Sequence, residues 1–148
     1  MSPGTDRSAC IYVDNISYPF RYFEFPDLGR TFIPMIPINL ETKKGLVEFN
    51  FLVDTGADFT TLPHFMAAEL GLDLKGAKRG RAEGLGGHVV KTWIVKVKLL
   101  FPKKTLVVRA SITDENSTPL LLGRADFLDV LYSWKFDSRQ KEIIFEKV

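Results

Sequence analysis

Strand-like alternation and short apolar runs occupy most of this chain. Residues 36–40 and 46–53 have strand patterns, and the second run ends apolar on both faces, as a strand entering a core does. Residues 88–101 alternate over a longer stretch and predict a long strand. A turn at residues 102–104 then leads into its predicted partner strand, residues 106–112.

The remaining elements are shorter. The pattern predicts a helix over residues 62–70, because Pro63 suits a first helical turn and Gly71 stands where a C-cap glycine would. Three further elements are predicted towards the C-terminus: a short buried strand at 120–123, a short helix within 124–131, and a closing hairpin formed by 134–137 and 143–145.

The N-terminal part has a different character. Residues 1–16 are polar and small and predict a tail, whereas residues 17–40 mix aromatic residues with prolines and predict an arm or short edge strands. Many strands with one or two short helices favour an all-β closed architecture. We therefore expect an N-terminal arm over residues 1–30 and a single domain over residues 31–148.

Composition narrows the function classes. The 148 residues suffice for one domain, and a formal charge of +2 does not argue for nucleic acid. The single cysteine, Cys10, excludes an internal disulfide, and two histidines exclude a multi-histidine metal site. No apolar run approaches the roughly 20 residues of a membrane span, and the first twenty residues lack a signal-type core. We expect a soluble cytoplasmic protein that has no cofactor or metal and binds neither nucleic acid nor membrane.

Candidate chemistry begins where the strand over 46–53 ends. Asp54, Thr55 and Gly56 follow it directly, and a carboxylate at the end of a buried strand is costly unless it is hydrogen-bonded or shares a proton. Gly56 permits a tight turn that brings backbone N–H groups near that carboxylate. The same three residues are also favourable for an ordinary β-turn. Taken alone, they are consistent with either a catalytic carboxylate or an ordinary turn.

Three segments together resemble the retropepsins, the single-lobed aspartic proteases of retroviruses and their cellular relatives. Residues Val53 to Asp58 fit the active-site loop, Glu83 to His88 resemble the glycine-rich flap, and Leu120 to Leu128 resemble the apolar triplet followed by Gly-Arg and a short helix. The segments occur in the family's order, and the resemblance covers residues 36–148. It implies a closed retropepsin-like acid-protease barrel.

The resemblance also implies an activity, that of an aspartic endopeptidase. Such a site needs two aspartates facing one water, and this chain carries only one such loop. A homodimer, in which each copy supplies one Asp54, is therefore expected, with a peptide or unfolded protein as substrate. The implied catalytic residues are Asp54, Thr55 and Gly56. The implied substrate contacts are Ala57, Asp58, Gly84, Leu85, Gly86 and Gly87, with Arg124 as support paired to Asp58.

Several alternatives stay open at this stage. The fold could serve as a peptide-binding or dimerisation module with weak or no catalysis, or as a zymogen or part of a larger regulator. Contact between Asp58 and Arg124 could be a structural ion pair, a substrate contact or both. Basic residues before the flap could steer acidic peptides or form a solvated face; they are Lys75, Lys78, Arg79 and Arg81. A dinucleotide loop is excluded, because Val89 stands where its third glycine is required.

Overall fold

The computed structural model describes residues 15–102 and 104–147, without the side chains of 131, 132 and 147. The predicted tail over residues 1–14, with Cys10, and Lys103 of the predicted turn lie outside the described residues. Two compact units are present: Met35–Asp129 forms one, and residues 15–34 with 130–147 form the other. The domain division at residues 30 and 31 stays a prediction.

Strands dominate both units. In chain order they are β1 (Asn15–Pro19), β2 (Arg21–Phe25), β3 (Gly29–Ile33), β4 (Met35–Thr42), β5 (Gly45–Val53), β6 (Thr60–Leu62), β7 (Lys78–Glu83), β8 (Val89–Phe101), β9 (Lys104–Thr113), β10 (Leu121–Leu122), β11 (Leu131–Asp137) and β12 (Glu142–Lys147). One short helix, α1 (Phe65–Glu69), and two 3₁₀ turns, Leu85–Gly87 and Leu128–Val130, complete the described elements. None of the described helices has the length and apolarity needed to cross a membrane.

The larger unit is a closed barrel. Its strands follow the order β9-β6-β10-β5-β4-β8-β7, and pairing between β8 and β9 closes the first six of them. Among the described strands, β7 pairs with β8 alone and forms an edge strand next to the barrel. This arrangement confirms the expectation of an all-β closed architecture.

The long hairpin of β8 and β9 shows how the sequence pattern produces this barrel. Its register runs from Lys104 opposite Phe101 to Thr113 opposite Thr92. Along β9, exposed and buried residues alternate up to Ala110, after which every residue is buried. The end of β9 is therefore covered on both faces, as a strand inside the core should be.

Apolar side chains, most of them from the strands, fill the core of the larger unit. The rings of Phe101 and Phe127 stack there with centroids 5.5 Å apart. These side chains pack closely against one another inside the barrel. The fully buried members with the largest side chains are Phe51, Phe127, Ile36, Ile38, Leu40, Leu62, Met66, Leu99, Ile112, Leu122 and Val108.

Two helix predictions need correction. The helix predicted over 62–70 is only α1, because Leu62 belongs to β6 and pairs in parallel with Ile112 of β9. Gly71 follows it with a left-handed φ of +69°, which fits the predicted C-cap. The helix predicted within 124–131 is wrong: Asp126 has a φ of +66°, which an α-helix cannot contain, and only the 3₁₀ turn Leu128–Val130 forms.

The smaller unit contains a three-stranded sheet and a hairpin. The sheet has the order β11-β12-β1, and the hairpin is formed by β2 and β3. Aromatic rings pack in this unit: Phe32 stacks on Phe20 at 3.8 Å and meets Phe136 edge-on at 5.6 Å between centroids. The predicted short N-terminal strands and the closing C-terminal hairpin are both confirmed.

Candidate active site

Asp54 lies where two parallel strands end side by side. Strand β5 pairs with β10, with Leu121 opposite Leu52 and Leu122 opposite Val53. The Asp54 N–H continues this pairing by donating to the Leu122 carbonyl at 2.9 Å. The backbone of Asp54 is therefore fixed by the barrel, while its side chain is half-buried.

A tight turn orients the Asp54 carboxylate. The Gly56 N–H donates to Asp54 Oδ1 at 2.9 Å, and the Ala57 N–H donates to the Asp54 carbonyl at 3.2 Å. A Cβ atom on Gly56 would lie 3.3 Å from the same Oδ1, closer than most side chains tolerate. Glycine at this position thus permits the hydrogen bond that holds the carboxylate.

Arg124 ties this turn to the segment that follows β10. Its guanidinium donates to the Thr55 carbonyl at 2.7 Å and forms an ion pair with the Asp58 carboxylate. Backbone bonds reinforce the link: the Arg124 N–H donates to the Ala57 carbonyl at 3.0 Å, and the Ala125 N–H donates to the Asp58 carbonyl at 2.9 Å. The side chain of Asp58 is 79% exposed, so the ion pair faces solvent.

A glycine-rich turn joins β7 to β8. The Gly84 N–H donates to the His88 carbonyl at 2.9 Å and closes the turn. Gly86 and Gly87 have φ values of +80° and +77°, which residues with a Cβ rarely adopt. Leu85, at the tip, is fully exposed. The chain thus has a projecting hairpin where the flap was predicted.

A cleft of about 900 Å³ lies in the larger unit beside Asp54. The cleft is lined by the turn after β5 and by residues of strands β7, β8 and β9. Three of the four basic residues before the flap line the cleft: Lys78, Arg79 and Arg81. Of the residues to which the resemblance assigns a role, five line it: Asp54, Gly56, Ala57, Asp58 and Gly84. The others do not line it: Thr55, Leu85, Gly86, Gly87 and Arg124.

The sequence analysis missed a set of hydroxyl residues on the cleft wall. The members of this hydroxyl row are Thr61, Thr92, Ser111 and Thr113. Strand register explains their position: Thr113 lies opposite Thr92, and Ser111 lies beside Thr61 of β6. The available signal was the spacing of Ser111 and Thr113 two residues apart on one strand face, but only the register joins them to Thr92.

Several charged side chains line the cleft, and some of them contact neighbouring residues. Arg109, which lines it, is bound through Nε and Nη2 to both carboxylate oxygens of Asp126, at 2.8 and 3.1 Å. The hydrogen bonds from Arg109 hold the pKa of Asp126 below its ordinary value. His88 Nε2 lies 3.0 Å from the Glu115 carboxylate, and the guanidinium of Arg79 lies 5.1 Å from the ring centre of Trp93.

No group of three or more histidine, cysteine, aspartate or glutamate side chains is arranged to hold a metal ion among residues 15–102 and 104–147.

Comparison with known proteins supplies the context for this geometry. A sequence model described as aspartyl protease matches residues 38–125, well over half of the chain. The crystal structure of a retropepsin-like aspartic protease from Rickettsia conorii aligns with a TM-score of 0.59 and 20% identity, covering 91% of this chain and 92% of that chain. A search of curated protein sequences finds no match. The structural similarity confirms the predicted retropepsin-like fold.

Proposed function

The chain belongs to the aspartyl protease family, and from this premise we propose that it is an aspartic endopeptidase acting as a homodimer. In the proposed dimer, each copy supplies one Asp54 to a catalytic dyad. One observation carries the proposal: Asp54 ends a barrel strand, has its carboxylate fixed by the Gly56 N–H, and lines a cleft beside a glycine-rich hairpin. A fixed carboxylate open to a cleft is what general base catalysis on a water molecule requires.

The proposed reaction is hydrolysis of a peptide bond. Two carboxylates placed close together share one proton, because both cannot be ionised at that distance. The ionised Asp54 removes a proton from the water, whose oxygen attacks the peptide carbonyl carbon, and the other Asp54 donates its proton to the carbonyl oxygen. The carbon–nitrogen bond then breaks as the nitrogen takes the proton held by the first Asp54, and a hydroxyl of the tetrahedral intermediate returns its proton to the other Asp54 as the carbonyl re-forms, so that the dyad again holds one proton.

The neighbouring residues have supporting roles in this proposal. Thr55 bonds the partner loop across the twofold axis, and the Gly56 carbonyl accepts a hydrogen bond from the substrate backbone. Arg124 holds the turn through the Thr55 carbonyl and Asp58. An extended peptide pairs along the cleft in the manner of an added strand. The proposed peptide contacts are Ala57, Asp58, Gly84, Leu85, Gly86 and Gly87.

Substitution of Asp54 by asparagine tests the activity. Asp54→Asn keeps an oxygen that can accept the Gly56 hydrogen bond but cannot act as a base. We expect cleavage of a denatured protein mixture, assayed from about pH 3.5 to about pH 7, to fall by about 10³-fold or more. Circular dichroism and sedimentation should show that fold and assembly are retained.

Asp73→Asn is the matched control. Asp73 accepts a hydrogen bond from the Lys75 N–H in a turn outside the cleft, and asparagine can make the same bond. This variant should cleave like the wild type, and a statine-containing peptide should inhibit both. Cleavage that survives Asp54→Asn contradicts the proposed mechanism. Absence of inhibitor-sensitive cleavage in the wild type favours the peptide-binding or dimerisation module instead.

A further inference from the structure

Two members of the hydroxyl row are buried without a partner. Thr92 is 2% exposed and Ser111 is 5% exposed, and both line the cleft. Within the described part of the chain, no group hydrogen-bonds either hydroxyl. By contrast, the Thr113 hydroxyl bonds Thr118 at 2.9 Å, and the Thr61 hydroxyl donates to the Phe59 carbonyl at 3.0 Å.

Unpaired buried hydroxyls are uncommon in folded proteins, because such a group has lost its hydration and gained nothing in exchange. When the group also lines a cleft, a bound ligand can supply the missing hydrogen bond. Thr92 and Ser111 are diagonal neighbours across β8 and β9, since Thr92 lies opposite Thr113. One ligand side chain can therefore reach both hydroxyls.

The flap strand β7 lies directly beside the Thr92 hydroxyl. Gly80 of β7 lies opposite Thr92, and a Cβ atom at Gly80 would come within 2.9 Å of Thr92 Oγ1. Any larger residue at that position would crowd the hydroxyl. Ile94, which also lines the cleft, lies opposite Ser111 and provides an apolar surface next to the two hydroxyls.

The hydrogen-bonding capacity of the Thr92 and Ser111 hydroxyls indicates which kind of ligand group they would bind. A hydroxyl can both donate and accept, and a carboxamide has both donors and an acceptor. A charged group placed against two neutral hydroxyls would lose its hydration without gaining an opposite charge. Arg109, which lies on the same face of β9 as Ser111, is already bound to Asp126 through two side-chain hydrogen bonds.

We infer that Thr92 and Ser111 form a subsite for the carboxamide side chain of asparagine or glutamine in a bound peptide. The methylene groups of that side chain pack on Ile94. This inference rests on the proposed function for the identity of the ligand as an extended peptide. It adds a preference for an amide residue at one position of that peptide.

Peptide binding tests the subsite without requiring hydrolysis. The probes are decapeptides in which glutamine, or its near-isostere methionine, occupies each position in turn, and the protein is the full chain with Asp54→Asn. Fluorescence polarisation should show about tenfold tighter binding of the glutamine peptide at one position, as one or two hydrogen bonds would produce. Equal binding of both probes at every position, or no binding, overturns the inference.

Isosteric variants test whether Thr92 and Ser111 are responsible for the glutamine preference. Thr92→Val with Ser111→Ala, added to Asp54→Asn, should abolish the glutamine preference. Thr105→Val, at an exposed position of β9 outside the cleft, should leave it intact. Because the two removed hydroxyls have no partner in the fold, the double variant should melt at least as high as its parent. A preference that persists in the double variant, or a melting point several degrees lower, contradicts the assignment.

Cleavage by the wild type separates the two proposals. If no peptide is cleaved but the glutamine preference is found, the proposed function fails and the subsite stands. If peptides are cleaved with no amide preference at any position flanking the broken bond, the function stands and the subsite fails.

Discussion

Gly123 shows how one residue without a side chain allows the candidate site to form. A Cβ atom there would lie 2.3 Å from the carbonyl carbon of Phe59 and 2.8 Å from the backbone nitrogen of Thr60. These neighbours are backbone atoms and cannot rotate away. The segment after β10 can therefore cross the segment that leads from Asp54 to β6 only if position 123 is glycine.

We predict that Gly123→Ala destabilises the fold by about 3 kcal/mol, because overpacking against backbone forces strands apart. Urea denaturation measures the free energy of unfolding. Gly84→Ala is the control: nothing lies within 4 Å of a Cβ at Gly84 and its φ is not positive, so the change should be less than about 1 kcal/mol. Equal effects of the two substitutions would refute the crowding argument.

Single residues differ in how far the sequence reveals them. Asp54 could be found because its neighbours form a contiguous string after an apolar strand. The Asp58–Arg124 contact was suggested by resemblance, and the structure does place the two side chains together. Thr92 could not be found, because only the strand register places it between Gly80 of β7 and Thr113 of β9.

At the scale of elements, two arginines form ion pairs that connect the barrel to the segment after β10. Arg109 of β9 holds Asp126, and Arg124 holds the turn after Asp54. Both acceptor positions are irregular backbone, which has no strand ladder to fix it. Side-chain hydrogen bonds therefore fix this irregular backbone, as backbone hydrogen bonds between strands fix the sheet.

The Arg109–Asp126 pair should make stability depend on pH. Hydrogen bonds from Arg109 lower the pKa of Asp126 in the folded state below its ordinary value of 3.8. A depressed folded-state pKa adds stability that is present above pH 3.8 and is lost as the pH falls through the folded value. Asp126→Asn should therefore be less stable than the wild type at about pH 7, and the difference should shrink by about pH 2.

Urea denaturation at both pH values checks this prediction. Asparagine tolerates the left-handed backbone of position 126, so the substitution tests the charge and not the φ of +66°. In an Arg109→Gln background, Asp126→Asn should change the pH dependence less, because the side-chain hydrogen bonds are gone and only the backbone N–H of position 109 still donates to Asp126. A pH-dependent difference of full size in that background would mean that the Arg109 side chain does not set the pKa.

Arg124→Lys tests the link to the proposed catalytic turn. Lysine keeps the charge but cannot donate to the Thr55 carbonyl and the Asp58 carboxylate in one rigid plane. If the turn loosens, the Asp54 carboxylate moves, and we expect kcat/KM to fall by about 10- to 100-fold. Arg139→Lys, at an exposed arginine in the turn before β12, should leave kcat/KM unchanged.

Element boundaries show where local pattern is insufficient. The long strands were predictable because alternation persists over many residues, and β8 begins and ends within one residue of its prediction. Leu62 looked like the start of a helix but is held in β6 by parallel pairing with Ile112 of β9, a contact 50 residues away in sequence. The left-handed Asp126, which ends the predicted second helix, serves the bond to Arg109. In both cases a residue distant in the sequence, Ile112 or Arg109, determines the local conformation.

At the scale of the whole molecule, the chain carries one loop of the type that supplies a catalytic aspartate. A dyad therefore requires two copies, and a twofold axis between the loops is the symmetric way to bring them together. The proposed activity is thus a property of the assembly and should depend on protein concentration. Specific activity should fall on dilution below the dimer dissociation constant.

Subunit mixing gives the sharpest form of this prediction. Wild-type chain and Asp54→Asn chain are combined in varied proportions at constant total concentration and left to exchange. Random pairing in an equal mixture leaves about one quarter of the dimers with two aspartates, so activity should follow the square of the wild-type fraction. Independent monomers would keep about one half and give a straight line. Mixing with Asp73→Asn, which retains its dyad, should leave activity constant, so a fall in that series would show that exchange itself inactivates the protein.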